Sequence, residues 1–286
     1  MKKILILGSS GLLGLNLVEF FLRKNNYKIT KFIRKEKKNF NNFSYCIKYL
    51  KKNNFDTIIN LSAITNVDEC EKNSHKAKRI NFEIVKNISK AISLKKLDTF
   101  LIQLSTDQFY NKFKKNNESC TKIINYYAKT KYLAEREAIK INAAILRTNF
   151  FGKSKNNKRK SFSDWIFHSL KDNKKINLAD DIFFSPISIK SLCKIIDHII
   201  VKKKVGVFNI GSKKGLSKFH FGLKFAKLLK LDTNLIKRVN YKDLKFRAKR
   251  PKDMRMQLKK FEKVYLIKFK TLQDEIKLVA KEYWLN

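Results

Sequence analysis

The chain has 286 residues, enough to bury a full core, and 43% of them are apolar, an ordinary share for a globular protein. Its formal net charge of +41 is not ordinary and points first to nucleic acid or an anionic membrane surface. Against both stands the composition: only ten of the 65 basic residues are Arg, they are scattered, and Lys runs the whole length beside abundant Asn, Ile and Phe. We read the charge as drift toward A/T-rich codons, with no specific nucleic-acid partner, and the dense run 153–160 as a solvated loop.

Ile4-Leu5-Ile6-Leu7 is a short, branched, wholly apolar run of the kind found in a strand buried on both faces. It leads into Gly8-Ser9-Ser10-Gly11-Leu12-Leu13-Gly14, which holds three of the chain's eight glycines, and then into a helical pattern through Leu17, Phe20, Phe21 and Leu22. Strand, glycine turn and helix form the context of a dinucleotide site: the glycines let the backbone turn tightly and approach a pyrophosphate, which sits on the helix N-terminus. A second strand over residues 27–33 runs into Arg34-Lys35. An acidic residue there would take the ribose hydroxyls of NAD, whereas an Arg accommodates the 2′-phosphate of NADP, so NADPH is the expected cofactor and NADH the alternative.

A third strand over residues 55–61 is followed by Ser62-Ala63, small residues that let the turn pack closely on a cofactor. A helix over 75–94 returns the chain to a fourth strand, 99–104, with Ser105-Thr106-Asp107 at its carboxyl end, where open parallel sheets place their ligands. A helix opening near Tyr127 and a strand over 143–147 complete a strand–helix alternation that predicts an α/β fold, a doubly wound parallel sheet of the NAD(P)-binding Rossmann type, over residues 1–150. Beyond it, helices over 161–171, up to Ile200, 217–229 and 271–283 predict a smaller α+β unit, residues 151–286, that mainly binds substrate. Residues 205–211 are the candidate for a strand returned to the core sheet. The two prolines, Pro186 and Pro251, read as required turns in a composition that has lost nearly all others.

Tyr127 and Lys131 stand four apart on one helical face, so the ammonium is expected close to the phenol. A phenol with a pKa of about 10 is a poor acid at neutral pH, and a neighbouring cation would bring it toward the working range. Tyr126 has Thr130 at the same spacing, so Tyr127 is the candidate acid. Cys46, Cys70, Cys120 and Cys193 share neither metal-ligand spacing nor a pairing pattern, and the four histidines stand alone. Reduced thiols and no metal are the expectation. The apolar run after Met1-Lys2-Lys3 is too short for a signal peptide and no run approaches a membrane span, which predicts a cytoplasmic protein with no membrane partner.

Taken in order, these motifs resemble the extended short-chain dehydrogenase/reductase family, and most of all its dTDP-4-dehydrorhamnose reductase branch. The resemblance rests on Gly8-x-x-Gly11-x-x-Gly14, Asn60-Leu61-Ser62-Ala63, Ser105-Thr106-Asp107-Gln108-Phe109, Tyr127-Ala128-Lys129-Thr130-Lys131, Leu146-Arg147-Thr148, Asp180-Asp181 with Ser185-Pro186, and Arg250-Pro251. It implies hydride transfer from NADPH to the C4 carbonyl of a nucleotide-linked 4-keto-6-deoxy sugar on the route to a surface polysaccharide. Tyr127 would be the proton donor, Lys131 would tune Tyr127 and hold the nicotinamide ribose, and Thr106 would bond the reacting oxygen. The cofactor set would be Gly8, Ser10, Gly11, Leu12, Leu13, Gly14, Arg34, Ser62, Ala63, Tyr127 and Lys131, and the substrate set Thr106, Phe150 and Arg250, the last facing a phosphate.

Departures from the family pattern sort its branches. Dehydratases follow the Thr-Asp pair with a Glu base, whereas Gln108 cannot take a proton from carbon at neutral pH, so elimination is not expected. The epimerase branch shows a Gly after its Val-Tyr, absent after Tyr110. Ala128 replaces a usual Gly, Phe150 a common Trp, and Ile123 and Ile124 stand where prolines precede the tyrosine in relatives. The alternatives are another sugar-nucleotide reductase or epimerase of the same fold, or a non-catalytic nucleotide-binding regulator, against which the intact Thr106, Tyr127 and Lys131 argue. An exposed helix face could make a homodimer.

Overall fold

The computed structural model describes residues 1–33, 39–113, 116–155 and 160–284. In chain order the first half runs β1 (Lys2–Leu7), α1 (Leu12–Lys24), β2 (Tyr27–Phe32), α2 (Phe43–Asn53), β3 (Thr57–Asn60), α3 (Val67–Lys72), α4 (Ser74–Lys78), a π-turn (Arg79–Glu83), α5 (Ile84–Leu94), β4 (Phe100–Thr106), α6 (Tyr126–Ala138) and β5 (Ala143–Thr148). The second half adds β6 (Phe150–Phe151), α7 (Phe162–Lys171), β7 (Ile176–Ala179), β8 (Phe183–Phe184), β9 (Ile187–Ser188), α8 (Ile189–Lys202) and β10 (Gly206–Ile210). It closes with β11 (Leu216–Ser217), α9 (Lys218–Leu228), β12 (Ile236–Val239), β13 (Asp253–Met254), α10 (Lys259–Tyr265) and α11 (Leu272–Trp284).

Six parallel strands form the central sheet in the order β10-β5-β4-β3-β1-β2, the expected doubly wound arrangement. Strand alternation sends side chains to two separate cores. Ile4, Ile6, Ile102 and Leu146 face α1, α8 and α10, while Leu5, Leu7, Leu101 and Ile145 face α2, α5 and α6. The direction of strand order reverses between β1 and β3, which opens a crevice at their carboxyl ends. The strand at 206–210 does join the sheet, beside β5. A third core gathers Ile166 of α7, Phe221 and Phe225 of α9, and Ile276 and Val279 of α11 around β7 and β12.

Two of the elements that depart from the sequence reading lie in the first half of the chain. The helix expected over 75–94 is broken: a π-turn at Arg79–Glu83 separates α4 from α5. The extra residue turns Asn81 inward, where it is buried and its amide clasps the backbone of Ile64 from both sides, accepting from N–H at 2.8 Å and donating to C=O at 3.1 Å. It also reaches Thr130 Oγ1 of α6 at 3.1 Å. Helix α2 was not foreseen, although Cys46 and Leu50 lie on its buried face and Asn42 caps it by accepting from Tyr45 N–H. Four Lys and Asn side chains in eleven residues diluted its periodicity below recognition.

Helix α6 is held to the sheet by a buried ion pair. Arg147 of β5 donates to Glu135 of α6 through Nε at 3.0 and 3.2 Å and Nη2 at 2.7 Å, with both side chains about 5% exposed. The remaining capacity is filled: Arg147 Nη1 donates to Tyr110 Oη at 3.0 Å and to the Glu118 carbonyl at 2.9 Å, Ser105 Oγ donates to Glu135, and Tyr110 Oη donates to Asn209 of β10 at 2.6 Å. A half-broken pair would leave a charge without solvent or partner. Arg147→Met is expected to lower the unfolding free energy by about 3–5 kcal/mol, and Arg147→Met/Glu135→Met to recover most of it, read from urea unfolding midpoints at constant slope.

Candidate active site

At the end of β1 the chain turns through Gly8, whose φ of 76° lies in the left-handed region that side chains disfavour. A Cβ on Gly8 would stand 2.8 Å from Leu61 C and 2.9 Å from Ser62 N, so the β1 turn and the β3 end lie backbone to backbone. At Gly14 a Cβ would meet the Gly8 carbonyl oxygen at 2.3 Å, which seats the first turn of α1 directly on the loop. Gly11 N–H closes the turn onto Gly8 C=O at 3.0 Å and then stands as N-cap of α1 without a side-chain cap. The amides of Leu12, Leu13 and Gly14 therefore begin a helix with neither an internal acceptor nor a carboxylate in the first turn. This cradle fits an anionic pyrophosphate, with exposed Ser10 at its rim.

Ser62 and Ala63 continue from β3, half-buried. Ser62 N–H donates to Asn60 Oδ1 at 3.1 Å, and Asn60 Nδ2 donates to Gln103 Oε1 of β4 at 2.8 Å, so the floor between the two strands is pinned by side chains. Arg34, on which the choice of NADPH rests, lies outside the described residues.

Thr106 ends β4, Tyr127 and Lys131 ride on α6, and the structure brings the three together, each less than a tenth exposed. Asn125 caps α6 by accepting from Ala128 N–H at 2.8 Å and donates its own amide to Lys249 C=O at 3.0 Å. Tyr127 packs with Cys70, Ala77 and Ile64. The electrostatics differ from the simple expectation that Lys131 would pull the phenol down. Burial pushes the Tyr127 phenol well above its ordinary value, with a hydrogen bond to Thr106 working in the opposite sense. Burial also lowers Lys131, to about 8, against the pull of Glu135 one turn further along the same face. The Lys131 ammonium is held by the Leu104 carbonyl at the end of β4. Tyr127 is thus kept protonated, with the hydroxyl of Thr106 as its hydrogen-bond partner.

Asp107 completes the cluster. It is 2% exposed, its carboxyl is raised by burial, and Asn149 Nδ2 and the charge of Lys218 oppose that rise, the former as a 2.9 Å hydrogen bond. Phe150 is half-buried at the start of β6. Arg250 pairs through Nη2 with Asp68 at 3.0 Å and lies 5.1 Å from the Phe246 ring centre, while its Nη1 is buried without an acceptor among the described residues. Sequence reasoning missed Asn81, Asn149 and Lys218. Asn149 had a signal, its place one residue beyond β5, whereas Asn81 and Lys218 reach the site only through the π-turn and through the fold of the second half.

Comparison with curated protein sequences yields no match. Among solved structures the chain is similar to a dTDP-4-dehydrorhamnose reductase from Clostridium acetobutylicum, 22% identical, with TM-score 0.90 and 99% of this chain covering 100% of that one. It is similar to the same-named enzyme of Bacillus anthracis in complex with NADP, 23% identical, TM-score 0.89, at the same coverage. A hypothetical dTDP-4-dehydrorhamnose reductase from Sulfolobus tokodaii is 28% identical, TM-score 0.83, covering 96% of this chain and 99% of its own. The family model described as the RmlD substrate binding domain matches residues 1–284, and the chain belongs to that family.

Proposed function

We propose that this protein is an NADPH-dependent reductase of the C4 keto group of a nucleotide-linked 4-keto-6-deoxy sugar. The observation that carries the reading is the gathering of Thr106, Tyr127 and Lys131, all buried, at the carboxyl edge of the sheet beside an uncapped, glycine-lined helix N-terminus. Support comes also from the family, and from the NADP complex of the Bacillus anthracis structure. Residues 1–150 hold the dinucleotide and residues 151–286 mainly shape the sugar side, an activity we assign to the cytoplasm and to surface polysaccharide supply.

The Gly8–Gly14 cradle and the backbone of Ser62 and Ala63 receive the dinucleotide, which supplies the hydride when bound. Negative charge then develops on the carbonyl oxygen, and Tyr127 Oη delivers a proton to it. The raised pKa of Tyr127 keeps that proton available, while its transfer is helped by the Thr106 hydroxyl, which stabilises the oxygen that loses or gains it. Protonated Lys131 opposes the negative charge left on the phenol, and the Leu104 carbonyl fixes its ammonium in place. Phe150 packs on the sugar. Arg250 Nη1, without an acceptor among the described residues, offers a donor to the diphosphate.

The test is oxidation of NADPH, followed by loss of the reduced nicotinamide absorbance, with a panel of nucleotide-linked 4-keto-6-deoxy sugars. Tyr127→Phe is expected to lower kcat by about 10²- to 10⁴-fold with NADPH affinity retained. Equal turnover in the variant, or none by wild type on any such sugar, refutes the reading. Lys131 makes a separate prediction. Its folded pKa, about 8, lies below its unfolded value, so the unfolded chain holds the proton more firmly. The penalty to folding is complete below pH 8 and is relieved as pH rises from there toward about 10.4. Lys131→Met is therefore expected to be more stable than wild type at pH 7, by about 1–2 kcal/mol in urea unfolding, with the gap closing across that window while activity is lost.

A further inference from the structure

Lys218 opens α9, at a helix start that is tightly constrained. Its backbone N–H donates to Ile182 C=O at 2.9 Å. The residue before it, Ser217, accepts from His220 N–H at 3.2 Å and donates to Asp180 Oδ1 at 2.6 Å, and Asp180 is bridged in turn to Arg238. Ser217, His220 and Asp180 meet through the same His Nδ1, at 2.8 Å from the hydroxyl and 2.9 Å from the carboxylate, so the trio is a clamp on the helix start and not a hydrolytic triad.

From that clamp the Lys218 side chain runs over aromatic faces, with Nζ 3.4 Å from the centre of the Phe184 ring and 4.4 Å from that of Phe162. The small sheet β11-β8-β13 that carries Phe184 also receives the loop after β4: Gln108 Nε2 donates to Met254 Sδ of β13 at 2.9 Å. Met254 pairs with Phe184 in this sheet, so the Asp107-Gln108 loop of the first half lies beside the ring that carries the Lys218 ammonium, near enough for each of Lys218 and Asp107 to be shifted by the charge of the other. They form no ion pair within contact distance, and the ammonium has no hydrogen-bond acceptor among the described residues. Burial depresses Lys218 to about 7, the mark of a cation short of oxygen partners.

An ammonium with three donors and a carboxylate with spare lone pairs, near one another but not paired, suit a group able to accept from one and donate to the other. A hydroxyl does both. A diphosphate would meet Asp107 with like charge, and an apolar group would leave two charges unsolvated. We propose that Lys218, together with Asp107, is a specificity-determining residue that holds hydroxyl groups of the hexose ring. This rests on the reading of the cleft as a sugar-nucleotide site.

Calorimetric binding to the NADPH-loaded protein tests it, comparing dTDP with a dTDP-linked 6-deoxyhexose that cannot be reduced further. In wild type the hexose is expected to add affinity over dTDP alone. Lys218→Met keeps the aliphatic stem on the rings and removes the charge, and is expected to cut hexose affinity about 10- to 100-fold while leaving dTDP and NADPH affinities unchanged. Lys218→Arg is expected to restore part of the loss. A hexose increment equal in wild type and Lys218→Met overturns the proposal, as does an equal loss of dTDP affinity, which would place the cation on the phosphates. If wild type binds NADPH but neither dTDP ligand, the sugar-nucleotide reading itself has failed and takes this inference with it.

Discussion

A guanidinium and a carboxylate stripped of water, Arg147 and Glu135, hold the helix of Tyr127 and Lys131 against the sheet. The desolvation of two charges is repaid only when every donor and acceptor finds a partner. Here Ser105, Tyr110, the Glu118 carbonyl and, through Tyr110, Asn209 supply them. One network thus joins β4, β5, β10 and α6, and it fixes the rotation of α6 about its axis. Because Tyr127, Lys131 and Glu135 fall on one helical face, locking Glu135 inward also locks the phenol and the amine at the edge of the sheet.

Burial then sets the chemistry of that edge. Tyr127 and Asp107 are raised and Lys131 is lowered, each toward its neutral form and each chiefly by loss of water. A site built this way is a poor place for fixed charge and a good one for charge that appears briefly and is met by preplaced donors. The glycine cradle works by the opposite means. There the protein removes side chains altogether, so that unpaired amides of α1 can stand close to a permanent anion.

The order of elements and the core sheet were legible because parallel strands buried on both faces write themselves as apolar runs, as in Ile4-Leu5-Ile6-Leu7 and Phe100-Leu101-Ile102. Glycines were legible for a related reason: with so few in the chain, three within seven residues mark a backbone constraint. Tyr127 and Lys131 were found by spacing, but spacing gives only a shared face. It could not say that the lysine would bond the Leu104 carbonyl, since that depends on how deeply α6 sinks against β4. Lys218 was invisible among so many lysines, and only the meeting of α9 with the end of β4 sets it apart. Helix α2 escaped for the same reason, its period blurred by Lys and Asn.

The π-turn at Arg79–Glu83 has a consequence for insertions and deletions. A π-turn is an α-helix carrying one residue more than its hydrogen-bond ladder needs. Loss of a single residue there would regularise the helix, yet it would rotate everything upstream by about 100° relative to α5 and carry Asn81 away from Ile64 and Thr130. The backbone between the cradle and α6 would then lose both of its clasps. This stretch should accept substitutions at its exposed positions but tolerate no change in length, a constraint on chain count rather than on residue type.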